Sequence, residues 1–247
     1  MSTTLITGAS SGLGAEMARQ LAARGHDLAL CARRTDRLAA LATEITTAHP
    51  DRRVVVKALD VTDHDAVFRV FDEFRDELGG LDRVVVNAGL GKGQPLGTGR
   101  FDANRQTAET NFFGALAQTE AAAAIFRAQG SGHLVMVSSF SALRGMPGNI
   151  TTYAATKAAV AHLAEGFRAD VHGTPIKVTV LYPGYIVSEM SGTSARTPLM
   201  TSTEKGVRAM VEAVEKEKKS AVVPAWPWVP LGFVVKRVPV ALLRRMA

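Results

Sequence analysis

The chain has 247 residues, of which 47% are hydrophobic and 21% are charged. This length allows one large α/β domain with a substantial core, and this composition excludes a disordered or fibrous chain. The net charge of +6 is compatible with nucleic acid, an anionic membrane surface or a ligand with several phosphates. We expect no nucleic-acid partner, because the basic residues have neither interleaved aromatic residues nor zinc-finger spacing.

The cysteine count and the first residues bear on the compartment. The single cysteine, Cys31, excludes an intramolecular disulfide, and the first residues lack the pattern of a signal peptide. No apolar stretch reaches the length of a membrane span. We therefore expect a cytoplasmic protein. The spacing of His, Cys and carboxylate residues predicts no metal site.

Short β-branched runs alternate with longer helical patterns almost to the end of the chain. The predicted strands are 3–7, 27–32, 54–59, 83–86, 133–138, 177–181 and 221–223. The predicted helices lie near 12–24, 35–49, 63–78, 104–129, 151–172 and 202–218. This alternation predicts α/β architecture: a Rossmann-type doubly wound parallel sheet of about seven strands with helices on both faces. No linker interrupts it, so we expect a single domain over 1–247, with a substrate loop at 188–203.

The first predicted strand runs into a glycine-rich turn. Gly8, Gly12 and Gly14 have GxxxGxG spacing, and a helix follows directly. Glycines at this turn let the backbone approach a pyrophosphate, whose charge then lies at a helix N-terminus. No GK[ST] follows, which argues against a P-loop. The residues expected to contact a dinucleotide here are Gly8, Ser10, Ser11, Gly12, Leu13 and Gly14.

The end of the second predicted strand favours NADP(H) over NAD(H). The strand ends Cys31-Ala32-Arg33-Arg34, without the carboxylate that would bind an adenosine ribose. Arg33 or Arg34 can pair bidentately with a 2′-phosphate. The alternatives are a solvated basic helix start and, because of Asp36, binding of NAD(H).

Two further strand ends carry candidate cofactor residues. Asp60 and Val61 close the third strand, and Asn87, Ala88 and Gly89 close the fourth. Open α/β sheets bind ligands at the carboxyl ends of their strands. Asp60 can accept a hydrogen bond from an adenine amino group, and Asn87 can brace the turn or the cofactor. Each can also be an ordinary turn residue.

Tyr153 and Lys157 lie four residues apart on a predicted helix, so their side chains share one face. A free phenol, with a pKa of about 10, is a poor acid or base at neutral pH. An adjacent ammonium and the positive charge of oxidised nicotinamide would lower that pKa. The pair would then be a general acid for carbonyl reduction and a general base for alcohol oxidation.

Two polar residues precede this pair. Ser139, at the end of the fifth predicted strand, can donate to a substrate carbonyl oxygen or instead cap a turn. Asn111 lies inside a predicted helix, where Asn is disfavoured. It either has a specific partner there, such as a water bridge to the lysine, or faces solvent.

Together these motifs resemble the short-chain dehydrogenase/reductase family, in its compact single-domain branch. The resemblance runs from residue 3 to about residue 224 in the family's order. Its motifs are TGASSGLG (7–14), DVTD (60–63), NAG (87–89), Asn111, SS (138–139), YAATK (153–157) and PG (183–184). It implies catalytic roles for Asn111, Ser139, Tyr153 and Lys157. It also implies cofactor contacts from Tyr153, Lys157, Pro183, Gly184, Ile186 and Ser188, with Ser188 where the family usually has Thr.

Two features depart from the family's pattern. Val86 stands where many members have Asn, and the spacing from Ser139 to Tyr153 is one residue longer, through 148–150. The resemblance implies an NADP(H)-dependent oxidoreductase that interconverts a carbonyl and an alcohol. Phe140, Leu143 and Tyr185 favour a small hydrophobic or lipid-like substrate. The alternative is a dinucleotide-binding sensor, which would have no need of a proton relay. We expect a homodimer or homotetramer.

The tail at 225–247 combines aliphatic residues, two tryptophans and basic residues. This composition suits a membrane interface, which would place the protein peripherally at the inner face of the membrane. The competing interpretation is a tail that packs over the substrate cleft or against another subunit. The prolines at 224, 227, 230 and 239 favour the second interpretation, because they prevent one long amphipathic helix.

Overall fold

A computed structural model describes residues 2–189 and 199–243. In this part of the chain, seven strands form one parallel sheet: β1 (Thr3–Thr7), β2 (Asp27–Ala32), β3 (Val54–Ala58), β4 (Arg83–Val86), β5 (Gly132–Val137), β6 (Ile176–Pro183) and β7 (Ser220–Val223). Their order is β3-β2-β1-β4-β5-β6-β7. The strand order therefore reverses between β1 and β4, which opens a crevice at the carboxyl ends of these strands. The predicted Rossmann-type sheet is confirmed.

Helices cover both faces of this sheet. They are α1 (Gly12–Ala22), α2 (Thr35–Ala48), α3 (His64–Leu78), α4 (Phe101–Ala108), α5 (Gly114–Gln129), α6 (Thr151–Asp170), α7 (Thr203–Glu215), α8 (Ala225–Val235) and α9 (Val240–Leu243). Helices α1, α2 and α7 pack on one face, and α3, α5 and α6 on the other. The inner strands β1, β2, β4, β5 and β6 are largely buried on both sides, which is why they are nearly continuous apolar runs, whereas the edge strands β3 and β7 are only partly buried.

Local sequence explains the helix faces and ends. In α3, Val67, Val70, Phe71 and Phe74 recur at helical spacing and are buried. Asp63 caps this helix by accepting a hydrogen bond from the Ala66 N–H. The predicted ends of most elements differ from the observed ones by one to three residues, which is where helices and strands fray.

The predicted helix over 104–129 is observed as an uninterrupted helical path, but it begins three residues earlier and is not α-helical throughout. The helical path begins at Phe101 and passes through a π-helical turn, Glu109–Phe113, before α5 begins at Gly114. A Cβ at Gly114 would lie 2.9 Å from the carbonyl oxygen of Val61, so the helix passes very close to the end of the sheet. The wider turn directs Asn111 inward, where it is 1% exposed, and π-helical turns are frequent at functional sites.

Helices α8 and α9 were not predicted. The described part of the tail is not one long helix, in agreement with its prolines. The backbone of Trp226 departs from helical geometry, and α8 contains Pro230. No helix within 2–189 and 199–243 has both the length and the apolar character needed to span a bilayer.

Candidate active site

The glycine-rich turn after β1 is tightly packed against the end of β4. Gly8 has φ +65°, and a Cβ there would lie 2.9 Å from the Cα of Ala88. A Cβ at Gly14 would lie 2.5 Å from the carbonyl oxygen of Gly8. Only glycine avoids these contacts. The turn therefore brings backbone and the N-terminus of α1 directly to the crevice, as a pyrophosphate site requires.

Thr7 and Asn87 hold the two strand ends together. The Thr7 hydroxyl accepts hydrogen bonds of 3.1 Å from the N–H groups of Asn87 and Ala88. The Asn87 side-chain amide donates to the Thr7 carbonyl oxygen over 2.9 Å. Asn87 thus braces the turn, one of the two roles predicted for it. Thr7 was missed as a positioning residue; its place directly before Gly8 was the available signal.

The arginines after β2 differ in their surroundings. Arg34 donates to the hydroxyls of Ser10 (3.2 Å) and Ser11 (2.6 Å), and its guanidinium pairs with Glu189 at 2.9 Å. Arg33 is largely exposed, and its guanidinium lies 3.7 Å from the carboxylate of Asp60. The alternative that both arginines are merely solvated at the start of a helix is therefore wrong for Arg34, because Arg34 is hydrogen-bonded to the glycine turn.

Asp60 and Val61 lie at the crevice, as predicted from the strand end. One carboxylate oxygen of Asp60 accepts hydrogen bonds from the backbone N–H (3.0 Å) and the hydroxyl (2.8 Å) of Thr62. These bonds fix the loop after β3. Val86 is buried in β4 and packs in the core.

Asn111 holds the loop that follows β4. Its side-chain oxygen accepts from the Leu90 N–H at 2.7 Å, and its side-chain nitrogen donates to the Leu90 carbonyl oxygen at 2.8 Å. The same nitrogen lies 3.3 Å from the Thr156 hydroxyl on α6. The alternative that Asn111 faces solvent is wrong. A Cβ at Gly89 would lie 3.4 Å from both Asn111 Oδ1 and Lys157 Nζ, so these two side chains flank Gly89.

Lys157 and Ser139 converge on the end of β5. The ammonium of Lys157 donates to the Val137 carbonyl oxygen over 2.8 Å, and the side chain is 5% exposed. The ammonium lies 5.9 Å from the centre of the Tyr153 ring. The Ser139 hydroxyl accepts from the N–H (3.2 Å) and hydroxyl (3.0 Å) of Ser141, so Ser139 also caps the short helical turn that follows.

Burial dominates the pKa values of this pair. It lowers the pKa of the Lys157 ammonium to about 8. It raises the pKa of the Tyr153 phenol, and the hydroxyl of Ser139 opposes this rise. The lowering of the tyrosine pKa predicted from the sequence is therefore absent in the protein alone. It stays a prediction for the complex with oxidised nicotinamide, whose positive charge would act in the opposite direction.

A cavity of about 760 Å³ joins these features. Of the predicted site residues, only Gly14 and Asn111 do not line it; both lie directly behind residues that do. Phe140 and Tyr185 line it as predicted, whereas Leu143 instead packs near Gly232 of α8. No group of three or more His, Cys, Asp or Glu side chains within 2–189 and 199–243 is arranged to hold a metal ion.

The inner face of α8 lines the apolar end of the cavity, in agreement with the interpretation that the tail packs over the substrate cleft. Trp228 is 3% exposed, and its ring centre lies 4.8 Å from that of Phe140 and 5.0 Å from that of Tyr185. Leu231 and Val235 line the same wall. The guanidinium of Arg144 donates to the carbonyl oxygens of Val235 and Lys236, which fixes the end of α8.

Two loops form the opposite wall. Gly148–Ile150, which includes the extra residue before Tyr153, is a short helical turn, and Asn149 and Ile150 line the cavity. A Cβ at Gly93 would lie 2.3 Å from the Asn149 carbonyl oxygen, so the loop after β4 packs directly on this turn. Of the predicted substrate loop at 188–203, residues 190–198 lie outside the described residues.

Comparison with known proteins places the chain in a family. A family model for short-chain dehydrogenases matches residues 2–199. An uncharacterized oxidoreductase of Mycobacterium tuberculosis is 54% identical over 243 residues, which cover 98% of this chain and 96% of that protein. A short-chain dehydrogenase from Sphingobium yanoikuyae in complex with NADPH has a TM-score of 0.83 and 25% identity over 98% of both chains.

An alcohol dehydrogenase from the archaeon Thermococcus sibiricus, complexed with 5-hydroxy-NADP, has a TM-score of 0.81 at 26% identity. The match covers 90% of this chain and 95% of that one. The chain therefore belongs to the short-chain dehydrogenase/reductase family, a family of oxidoreductases with a nucleotide-binding Rossmann-type fold.

Proposed function

We propose that this protein is an NADP(H)-dependent oxidoreductase that interconverts a carbonyl and an alcohol on an apolar substrate. The observation that carries the proposal is that Tyr153, Lys157 and Ser139 share one cavity with the glycine-rich turn. A sensor would need the turn but not the three polar side chains. When bound, the nicotinamide supplies the hydride for carbonyl reduction and accepts it in the reverse direction.

Each of the three side chains has a proposed task. Tyr153 donates a proton to the carbonyl oxygen as it is reduced and takes it back from the alcohol. Ser139 donates a hydrogen bond to the same oxygen and stabilises its developing charge. Lys157, fixed by the Val137 carbonyl oxygen, binds the nicotinamide ribose and favours the phenolate of Tyr153 by its charge.

Asn111 acts differently, by fixing the backbone on which the site is built. Both of its amide atoms are engaged with Leu90. It therefore holds the loop after β4 at the mouth of the crevice, next to Lys157. Pro183, Gly184, Ile186 and Ser188 line the cavity from the end of β6 onward, and we propose them as the remaining cofactor contacts.

NADP(H) preference is supported by charge at the end of β2. No carboxylate ends this strand, and Arg33 and Arg34 both line the cavity. Guanidinium groups bind a phosphate monoester through charge-assisted hydrogen bonds. The two related structures named above were solved with NADPH and with 5-hydroxy-NADP.

An apolar substrate is supported by the wall that Phe140, Tyr185 and α8 provide. The outer face of α8 carries exposed apolar side chains, among them Trp226 at 80% and Phe233 at 66%. For this face, peripheral membrane contact and assembly into a homodimer or homotetramer stay predictions. The single-domain organisation of the whole chain also stays a prediction.

The test is a titration of NADPH and NADH by fluorescence, followed by absorbance assays with ketones and aldehydes of increasing apolar size. We expect tighter binding of NADPH than of NADH, and turnover that rises with apolar size. Binding of NADPH without turnover of any carbonyl or alcohol would instead identify a sensor. Equal binding of both cofactors would contradict the NADP(H) preference.

A further inference from the structure

A carboxylate lies among the arginines that follow β2. Glu189 comes from the segment after β6, whereas Arg34 is 155 residues away at the start of α2. Arg34 donates to Glu189 Oε2 over 2.9 Å, and Arg37 donates to Glu189 Oε1. The hydroxyl of Ser11, in the glycine turn, accepts from Arg34 and helps to lower the pKa of the same carboxylate. One carboxylate is therefore bound by two guanidinium groups, with a hydroxyl of the glycine turn beside them.

These donors are the set that binds a phosphate monoester. Two guanidinium groups and a hydroxyl, placed beside a glycine-rich turn, match the several oxygens of a phosphate better than the two of a carboxylate. Ser11, Arg34 and Glu189 all line the cavity. Arg34 and Arg37 also lie at the N-terminus of α2, the positive end of the helix dipole, where cations are disfavoured unless an anion accompanies them.

Glu189 is fully charged in this setting. Its hydrogen bonds with Arg37 and Arg34 hold the pKa of the Glu189 carboxyl well below its usual range. It therefore competes as an anion at any pH near neutrality. All three ion-pair partners are about half exposed, so salt screens the pairs and exchange with a ligand anion is feasible.

Arg33 is in a different position. Its side chain is 70% exposed, and the one carboxylate within 4 Å among the described residues is Asp60 at 3.7 Å. The sequence left open whether Arg33 or Arg34 would receive a 2′-phosphate. In this structure Arg33 is available to a phosphate, whereas Arg34 and Arg37 are neutralised by Glu189.

We propose that Glu189 is a cofactor-specificity residue. Its carboxylate fills the anion site of Ser11, Arg34 and Arg37, which the 2′-phosphate of NADP(H) would otherwise occupy. Glu189 thereby reduces the preference for NADP(H), because the phosphate must displace it or accept its repulsion. NAD(H) has no 2′-phosphate and does not compete. The inference rests on the proposed function in requiring a dinucleotide in this cavity.

The test is equilibrium binding of NADPH and of NADH, each followed by fluorescence, so that turnover is not needed. We expect Glu189→Gln to tighten NADPH binding about five-fold at roughly physiological ionic strength, an effect limited by solvent screening. NADH binding should change less than about two-fold, because that ligand does not enter the anion site. In Glu189→Gln/Arg37→Gln, most of the gain for NADPH should disappear.

The matched control is Glu204→Gln. It removes the same charge from an exposed carboxylate that pairs with Arg208 on α7, outside the cavity. It should leave the ratio of the two dissociation constants unchanged. An unchanged ratio in Glu189→Gln would overturn this inference alone. Binding of neither dinucleotide by the unaltered protein would overturn the proposed function and this inference with it.

Discussion

Replacing Trp228 with Ala tests whether α8 forms the apolar wall of the substrate cavity. Trp228 is 3% exposed and packs edge-on against Phe140 and Tyr185. A core Trp→Ala change costs about 3–5 kcal/mol in the free energy of unfolding. We expect about 3 kcal/mol here, the lower end, because one side of the indole faces the cavity. The indole N–H of Trp228 has no hydrogen-bond partner among the described residues, so the substitution removes no hydrogen bond.

Trp226 provides the matched control. It lies two residues away in the same helix but is 80% exposed, so Trp226→Ala should change stability by less than about 0.5 kcal/mol. The chain has two tryptophans, so each variant leaves a single tryptophan to report by selective excitation. In Trp226→Ala, the remaining Trp228 should show the blue-shifted emission of a buried indole.

Urea unfolding gives the stability change, and binding and kinetic assays give the functional one. For a large apolar ketone, Trp228→Ala should raise KM about ten-fold, the equivalent of roughly 55 Å² of lost apolar contact. The dissociation constant of NADPH should stay within about two-fold, because the indole lies at the substrate end. Should Trp228→Ala fold poorly, Trp228→Phe would show the same pattern at smaller amplitude. Equal stability losses at the two tryptophans, or a KM that is unchanged, would refute this placement of α8.

Three further substitutions test the packing at Gly184, the hydrogen bonds of Asn111 and the protonation of His133. Gly184→Ala would place a Cβ 2.2 Å from the Trp228 ring, so we expect a loss of about 1–3 kcal/mol and a red-shifted emission; unchanged fluorescence would contradict that contact. Asn111→Ala leaves both backbone groups of Leu90 without their partner, which should cost about 2–4 kcal/mol in urea unfolding, and a neutral result would show that water replaces the amide. Burial lowers the pKa of His133 to about 3 in the folded protein. As the pH falls below about 6.5, the unfolded chain therefore binds a proton at His133 that the folded protein does not bind. Stability should therefore fall by about 2 kcal/mol more between pH 7 and pH 5 than in His133→Gln, and parallel pH profiles would be inconsistent with a neutral His133.

The strands and the cofactor turn were predictable from local sequence. Most strands are short apolar runs rich in β-branched residues, and Gly8 and Gly14 have the spacing typical of a close backbone approach at a strand–helix turn. The carboxyl ends of parallel strands meet at one edge of the sheet, so residues placed at those ends had to lie near one another. This geometry was sufficient to bring Ser139 and the glycine turn to one cavity.

Contacts between distant segments were not predictable in the same way. Arg34 and Glu189 are 155 residues apart, and nothing local to either residue indicates that they pair. The π-helical turn at Asn111 lies directly before Gly114, whose backbone packs against Val61, and a helical apolar pattern does not reveal such a contact. The prolines of the tail indicated where no long helix forms. The packing of Trp228 in the cavity depends instead on Gly184, which is distant in sequence and has no side chain to block the indole.

Tyr153→Phe removes one hydroxyl and keeps the ring, so it tests whether Tyr153 is the proton donor of the reaction. We expect kcat/KM for carbonyl reduction to fall about 10³-fold or more, because a positioned general acid is lost. The dissociation constant of NADPH should stay within about two-fold, because the glycine turn and the arginines are untouched. Activity within about ten-fold of the unaltered protein, with NADPH still bound, would contradict the assignment of Tyr153 as the proton donor.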